Sequence, residues 1–336
     1  MTILITGAAG FIGFHVAKRL LEQGRRVVAF DNFNSYYDVS LKEARWALLK
    51  KCEGFTGRRL DLANRQAVLK FCAETGPTHI VHLSAQAGVR YGMENSEAYT
   101  NSNLVGFMNI LDAARELSVR HFVFASTSSV YGANTTMPFA EQHTVDHQLS
   151  LYAATKRANE VLAHSYSHLY KIPSTGLRFF TVYGPWGRPD MALQKFTERI
   201  CAGDPIDVYN DGRMERDFTY IDDIVEGLVR VVDHTPLHNE SWKASSPLPN
   251  SSGVAPYRIF NIGRGEPVNL MDLIAMLEKY IGKNATLNFM PIQPGDVKST
   301  WCDLSALRHA VNYDPKVSLA DGLKKTVSWF RAYYKV

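Results

Sequence analysis

Four hydroxyl residues, Ser126, Thr127, Ser128 and Ser129, directly follow an apolar run at residues 121–125 (HFVFA), and Tyr152 and Lys156 stand soon after in the string YAATK. A separation of four places Tyr152 and Lys156 on one face of a helix. A lysine cation beside a phenol favours phenolate through opposite-charge attraction, which suits tyrosine to act as a general base toward a hydroxyl. Thr127 can bridge that phenol and a reacting substrate hydroxyl, while Ser126 and Ser128 can orient a ligand. Each element alone has a plainer reading. A Tyr-x-x-x-Lys spacing is common on surface helices, and a hydroxyl cluster satisfies the polar end of a strand.

A second constellation decides between these readings. Gly7, Gly10, Phe11, Ile12 and Gly13 lie between an apolar strand at residues 2–6 and a helix predicted over residues 11–23. Glycines there admit a tight turn, close phosphate approach and close packing of helix on sheet. The helix amino end offers unpaired N–H groups and a favourable dipole to a pyrophosphate. Asp31 ends the second strand, where a carboxylate accepts from an adenosine ribose diol and repels an added 2′-phosphate, favouring NAD over NADP. Asn32 adjoins it. Asp61 and Leu62 follow the third strand and face the adenine edge, although Asp61 serves equally as a helix cap. Residues 82–87 (HLSAQA), Leu83 and Ala85 among them, close the fourth strand, where small residues can pass close to the cofactor. His82 reads as a core histidine rather than a catalyst.

The elements that position these residues alternate. Strands are predicted at residues 2–6, 26–30, 55–60, 79–83 and 121–125, separated by helices near 11–23, 40–51, 64–75 and 97–117. That order predicts an α/β fold: a Rossmann-like, doubly wound parallel sheet covered on both faces, with a smaller C-terminal substrate-binding region. After a helix to about residue 169 and a strand at 174–180, the units shorten. Helices are expected near 191–202, from 220, over 269–280 and over 320–333, with a surface loop at 236–256 rich in Ser, Pro and Asn. Residues 1–180 are therefore expected to form the NAD-binding and catalytic domain. Residues 181–336 are expected to form mainly the substrate-binding region, with some segments returning to the first sheet.

Composition excludes several classes. The 336 residues are 46% hydrophobic and 21% charged, with 37 Lys and Arg against 33 Asp and Glu. No basic run suggests nucleic acid, and no apolar stretch approaches a membrane span. Cys52, Cys72, Cys201 and Cys302 are widely spaced, which argues against a metal site and for reduced thiols. Met1 leads at once into ILI without a basic region or cleavage site, which sets a cytoplasmic expectation.

The strings TGAAGFIG (6–13), DNFNSYYD (31–38), LKEAR (41–45), SAQAGVRY (84–91), STSSVYG (126–132), YAATK (152–156), YGPWGRPDMA (183–192), RDFTYIDD (216–223), YRIFNIG (257–263) and PGDV (294–297) together resemble the extended short-chain dehydrogenase/reductase family. Within it the chain is most similar to the UDP-glucuronate 4-epimerase subgroup, over nearly its full length. The resemblance implies a tightly held, recycled NAD that removes hydride from C4 of a UDP sugar and returns it to the opposite face. It assigns Tyr152 as base, Lys156 as its tuner and Thr127 as hydroxyl relay. It also implies a homodimer, with residues 103–117 and 152–170 as candidates for its seam.

The same resemblance supports Arg188, with Thr181 and the hydroxyls of Thr127, Ser128 and Ser129, as the cradle for a C6 carboxylate, which a guanidinium can engage through paired hydrogen bonds. Arg90 is expected near a cofactor or substrate phosphate, Arg216 on the diphosphate and Asp296 at the uridine ribose. Lys195 and Arg213 read equally as solvated charges, and Asp222 and Asp223 as helix-start residues. Related decarboxylases resemble STSEVYG, whereas Ser129 stands at that glutamate position here. Thr127-Ser128 also lacks the acid of a dehydratase. A neutral UDP-glucose 4-epimerase is the nearest alternative. Decarboxylation of UDP-glucuronate is weaker, and a catalytically silent NAD-binding scaffold is the non-enzymatic alternative.

Overall fold

The computed structural model describes residues 1–293 and 297–336. Its first half alternates strand and helix: β1 (Thr2–Thr6), α1 (Phe11–Glu22), β2 (Arg26–Asp31), α2 (Val39–Leu49), β3 (Phe55–Arg59), α3 (Arg65–Thr75) and β4 (His79–His82). Two short turns, α4 (Tyr91–Glu94) and α5 (Ser96–Tyr99), lead through a π-helical segment at Thr100–Val105 into α6 (Gly106–Glu116). Then come β5 (His121–Thr127), α7 (Leu151–Tyr170) and β6 (Ser174–Phe179).

The remaining elements are β7 (Thr181–Tyr183), α8 (Ala192–Ala202), β8 (Ile206–Tyr209), β9 (Glu215–Tyr220), α9 (Ile221–Val232), β10 (Tyr257–Ile262), β11 (Pro267–Asn269), α10 (Leu270–Ile281), β12 (Leu287–Met290), β13 (Ser299–Thr300), α11 (Ser305–Val311) and α12 (Leu319–Tyr334). Seven strands form one sheet in the order β10-β6-β5-β4-β1-β2-β3, parallel throughout. The order reverses between β1 and β4, and the crevice outside the strand carboxyl ends at such a point is where ligands bind in open α/β sheets.

Alternation along each strand divides the core. Leu4, Val28, Ile80, Phe122 and Phe124 join the cluster containing residues of α3 and α6. Ile3, Ile5, Val27, Ala29, Val81 and Val123 join the one containing residues of α1 and α9. This two-sided burial explains why these strands read as unbroken apolar runs. The second half supplies β10 to the main sheet beside β6. Its other strands build a small layer in which β9 pairs with β7, β11 and β13, and β8 pairs with β12. The strand at Glu215–Tyr220 is absent from the pattern reading, because a polar, aromatic run (ERDFTY) carries no simple alternation. The helix expected over 97–117 contains the π segment, which sequence periodicity does not register.

Candidate active site

At the first βα turn, Gly7 has φ +74°, and a Cβ there would stand 2.9 Å from the Ser84 backbone nitrogen. A Cβ on Gly13 would lie 2.2 Å from the Gly7 carbonyl oxygen. The tight turn and the close approach of helix to turn thus both require glycine. Gly10 precedes α1 and brings no side-chain cap, so the helix amino end keeps unpaired donors facing the cleft. Asp31 closes β2 and accepts from the N–H groups of Ala9 (3.1 Å) and Phe33 (2.9 Å). Burial pushes its carboxyl above the ordinary range, opposed by those bonds and by the Lys42 and Arg45 charges. Its carboxylate retains lone pairs for a ribose diol.

The hydroxyl cluster satisfies its own strand end. Thr127 accepts from the Ser129 N–H at 3.2 Å, capping the 3₁₀ turn Ser128–Tyr131, and its hydroxyl donates to Ser129 Oγ at 3.3 Å. Thr127 and Tyr152 nevertheless line the same cleft. The Ser126 hydroxyl itself donates to the buried Glu160 carboxylate at 2.6 Å, although the residue also lines this cleft. Alternation explains this, because Ser126 and Thr127 are neighbours on one strand and point to opposite faces.

Ser150 caps α7 by accepting from the Ala153 N–H, and the helix presents Tyr152, Lys156 and Glu160 at successive turns. Lys156 donates to the Ala125 carbonyl at 2.9 Å, which fixes its ammonium under β5. Burial lowers its pKa to about 8. The Tyr152 phenol is pushed up by burial, and the two influences that oppose this are the Arg188 charge and the Thr127 hydroxyl.

The cleft encloses about 1070 Å³. It brings together Gly7, Gly10, Phe11, Ile12, Gly13, Asp31, Asn32, Asp61, Leu62, Leu83 and Ala85 at one end, and Thr127, Ser128, Ser129, Tyr152, Lys156, Thr181 and Arg188 at the other. Arg90 lines both this cleft and an adjoining pocket of about 220 Å³, its guanidinium 4.8 Å from the Tyr209 ring centre. Arg216 lines only that second pocket and donates to the carbonyls of Glu215 and Lys298. Asp296 lies outside the described residues. Asp61 caps a turn by accepting from Ala63 N–H and also accepts from Asn32, while Asn64 is the cap of α3. His82 is buried and bonded to Thr6 at 2.8 Å, as its core reading requires.

Residues 3–244 match the model of the NAD dependent epimerase/dehydratase family. The chain belongs to that family. It is 49% identical over 336 residues to a probable UDP-glucuronate 4-epimerase of Rhizobium meliloti, covering 100% of this chain and 98% of that protein. Among solved structures it is similar to the UDP-glucuronic acid 4-epimerase of Bacillus cereus in complex with UDP-glucuronic acid and NAD, with 34% identity, TM-score 0.88 and coverage of 99% and 100%. A UDP-glucose 4-epimerase of Thermotoga maritima with UDP-glucose is more distant at 27% identity, TM-score 0.85, with coverage of 99% and 100%.

Several residues in or behind this family member's cleft went unread in the sequence. Arg188 forms a two-point ion pair with Asp190, Nε to Oδ1 at 3.0 Å and the second nitrogen to Oδ2 at 2.5 Å. Tyr36 donates to the same carboxylate at 3.2 Å. Lys42 is buried, donates to both oxygens of Asn34 at 2.6 Å and has its pKa lowered to about 8 by burial. Asn103, in the π segment, accepts from Gln86 N–H and donates to the Gln86 carbonyl and the Thr155 hydroxyl. It thereby ties the loop after β4 to α7. The only sequence cue was a polar residue within an apolar helix.

Proposed function

We propose that this protein is an NAD-dependent 4-epimerase of UDP-hexuronates, interconverting UDP-glucuronate and UDP-galacturonate through a transient UDP-4-keto-hexuronate without net redox change or decarboxylation. The observation that carries the reading is the position of Arg188. Its guanidinium shares the Tyr152 end of the cleft, near enough for its charge to act on the phenol, with Thr181 on the same wall. A cation beside the reacting carbon suits a sugar with an acidic arm at C6.

Gly7, Gly10, Gly13 and Asp31 fit the pyrophosphate and adenosine ribose of NAD, which is tightly held and recycled in this reading. When bound, NAD supplies the acceptor and then the donor of the hydride at C4. Tyr152 takes the proton of the 4-hydroxyl, with Thr127 as relay, and returns it after the keto sugar has turned over. Lys156 is fixed by Ala125 and positions the base and the nicotinamide ribose together. Oxidation at C4 makes C6 a β-keto acid, so the C5–carboxylate bond must be kept out of line with the ketone π system. Arg188, Thr181 and the Thr127–Ser129 hydroxyls serve that orientation. Ser129, in place of a carboxylate, withholds the group associated with programmed decarboxylation.

Residues 1–180 act in this reading as the cofactor and catalytic part, and 181–336 mainly bind the UDP sugar, through Arg90 and Arg216 at the diphosphate. Exposed Val105, Val161 and Leu169 lie near or on the helices proposed as a homodimer seam. No helix among the described residues is long and apolar enough to cross a membrane, and the four cysteines are free. The free cysteines fit the cytoplasmic residence of this reading.

One observation favours a second reading, epimerisation of neutral UDP-hexoses: Asp190 already neutralises Arg188. Incubation with UDP-glucuronate and, in parallel, UDP-glucose decides, with products separated as UDP-galacturonate, UDP-galactose and UDP-pentose. Conversion of UDP-glucose alone refutes the acidic-sugar reading. Tyr152→Phe is expected to slow conversion about 10²–10⁴-fold while leaving the fold intact.

A further inference from the structure

Arg45 is fully buried on α2, and its four hydrogen-bond acceptors include no carboxylate. One terminal nitrogen donates to the Ala9 carbonyl and the Tyr37 hydroxyl, both at 2.9 Å. The other donates to the carbonyls of Trp186 (2.5 Å) and Gly187 (3.3 Å), while Nε has no partner. A buried cation whose hydrogen bonds all go to neutral dipoles is costly to desolvate, so its placement calls for a reason.

Its partners supply one. Ala9 sits between Gly7 and Gly10 in the dinucleotide turn, and its N–H is bonded to Asp31. Trp186 and Gly187 immediately precede Arg188. Trp186 holds φ +61°, a left-handed conformation that a bulky residue keeps only where its surroundings over-determine it. Its ring packs against Phe14 of α1 and against Trp329 and Tyr333 of α12, and its carbonyl is held by Arg45. His15 of α1 bonds the Pro185 carbonyl at 3.0 Å from the other side. One planar fork thus spans the cofactor turn and the loop that carries the acid-arm arginine, segments about as far apart in sequence as the chain's two halves.

We propose that Arg45 is a positioning residue that couples the two ends of the cleft: it sets the spacing between the dinucleotide turn and the Arg188 loop, so that the grip on NAD and the grip on the sugar's C6 substituent are linked. Linkage of this kind is reciprocal. The inference rests on the epimerase reading and deepens it. Guanidinium geometry is essential to it, because a lysine ammonium is a point donor that cannot bridge both segments in one plane.

The test uses purified holoenzyme and the variants Arg45→Lys and Arg45→Met, with thermal melts to confirm folding. NAD release is timed alone, with saturating UDP, with UDP-glucose and with UDP-glucuronate. In wild type, UDP-glucuronate is expected to slow release beyond UDP by about fivefold or more. In both variants that excess falls toward one, the effect of UDP itself remains, and the ratio of UDP-pentose to UDP-galacturonate rises. A folded Arg45→Lys protein that keeps both the excess and the product ratio overturns the proposal. So does a wild type in which neither nucleotide sugar slows release beyond UDP, even if no variant folds. If wild type converts only UDP-glucose, the acidic-sugar reading has failed, and the coupling is then read from the UDP-glucose arm by the same criteria.

Discussion

Replacing Arg178 or Glu160 one at a time should unfold the protein readily, whereas replacing both should not. The two side chains have no exposed surface and meet in a two-point pair at 2.9 and 3.0 Å. Glu160 also accepts from Ser126 at 2.6 Å and Arg157 at 3.1 Å, while the Arg178 guanidinium lies over the Tyr131 ring at 4.9 Å and leaves one nitrogen unpartnered. Removing one partner of a buried pair costs about 3–5 kcal/mol. Arg178→Met belongs near 3, because Glu160 keeps Ser126 and Arg157. Glu160→Leu belongs near 5, because Arg178 hydrogen-bonds no second carboxylate. Either is a large share of a total stability of roughly 5–15 kcal/mol. The double change Glu160→Leu with Arg178→Met removes both desolvated charges and should recover to within about 1 kcal/mol of wild type or exceed it. Denaturant unfolding of the variants at pH 7 gives the coupling energy directly. Burial raises the Glu160 carboxyl, but the Arg178 charge and bonds outweigh this and hold it below the ordinary range. Its contribution is therefore present above about pH 4.5 and lost as pH falls through its folded value. Singles that each cost under about 1 kcal/mol, or a double as unstable as the sum, would refute this account of how α7 is seated.

Three further outcomes follow from the geometry. His121, bonded to Val232 and Thr175 and held neutral by burial down to a pKa of about 4, binds its proton later than the unfolded chain does on acidification. Stability should thus fall between pH 6.5 and 4 by on the order of 3 kcal/mol from this group, and His121→Asn should flatten that slope in melts across the range. Gly13→Ala places a methyl 2.2 Å from the Gly7 carbonyl and should weaken NAD retention about tenfold or more, equal to about 1.4 kcal/mol, by titration of the purified protein; unchanged retention would contradict the turn's role. Lys156, at about 8, is charged below that pH, so kcat/KM should decline above it, and Lys156→Met should lose this limb along with most of the rate.

What the sequence disclosed was local in origin. The glycine turn, the strand-end Asp31 and the Tyr152–Lys156 pair each depend on spacing within a few residues, and strands buried on both faces read as apolar runs. Ser126 was within reach too, since period two along β5 separates it from Thr127. Arg45 and Asp190 were not. Arg45 sits in a helix with a weak apolar pattern, and its meaning lies in carbonyls about 140 residues away. Asn103 makes its bonds to Gln86 and Thr155 from within the π segment, and no periodicity announces one extra residue in a helical turn.

In the proposed role of Arg188 as holder of the acidic sugar arm, its pairing with Asp190 changes what that arm gains from the cleft. A lone guanidinium would attract a carboxylate strongly, but it could also follow it through the ring rotation between oxidation and reduction. A guanidinium clamped at two points by Asp190, with Tyr36 on the same carboxylate, presents only its remaining donor edge. Attraction at that edge is reduced by the neighbouring negative charge, while direction is retained, because the planar fork cannot turn without breaking both bonds. Orientation is what the β-keto acid problem requires, since loss of carbon dioxide depends on alignment rather than on affinity. Arg45 fits the same logic from behind: by holding the Trp186 and Gly187 carbonyls it limits movement of the loop on which that fork is mounted.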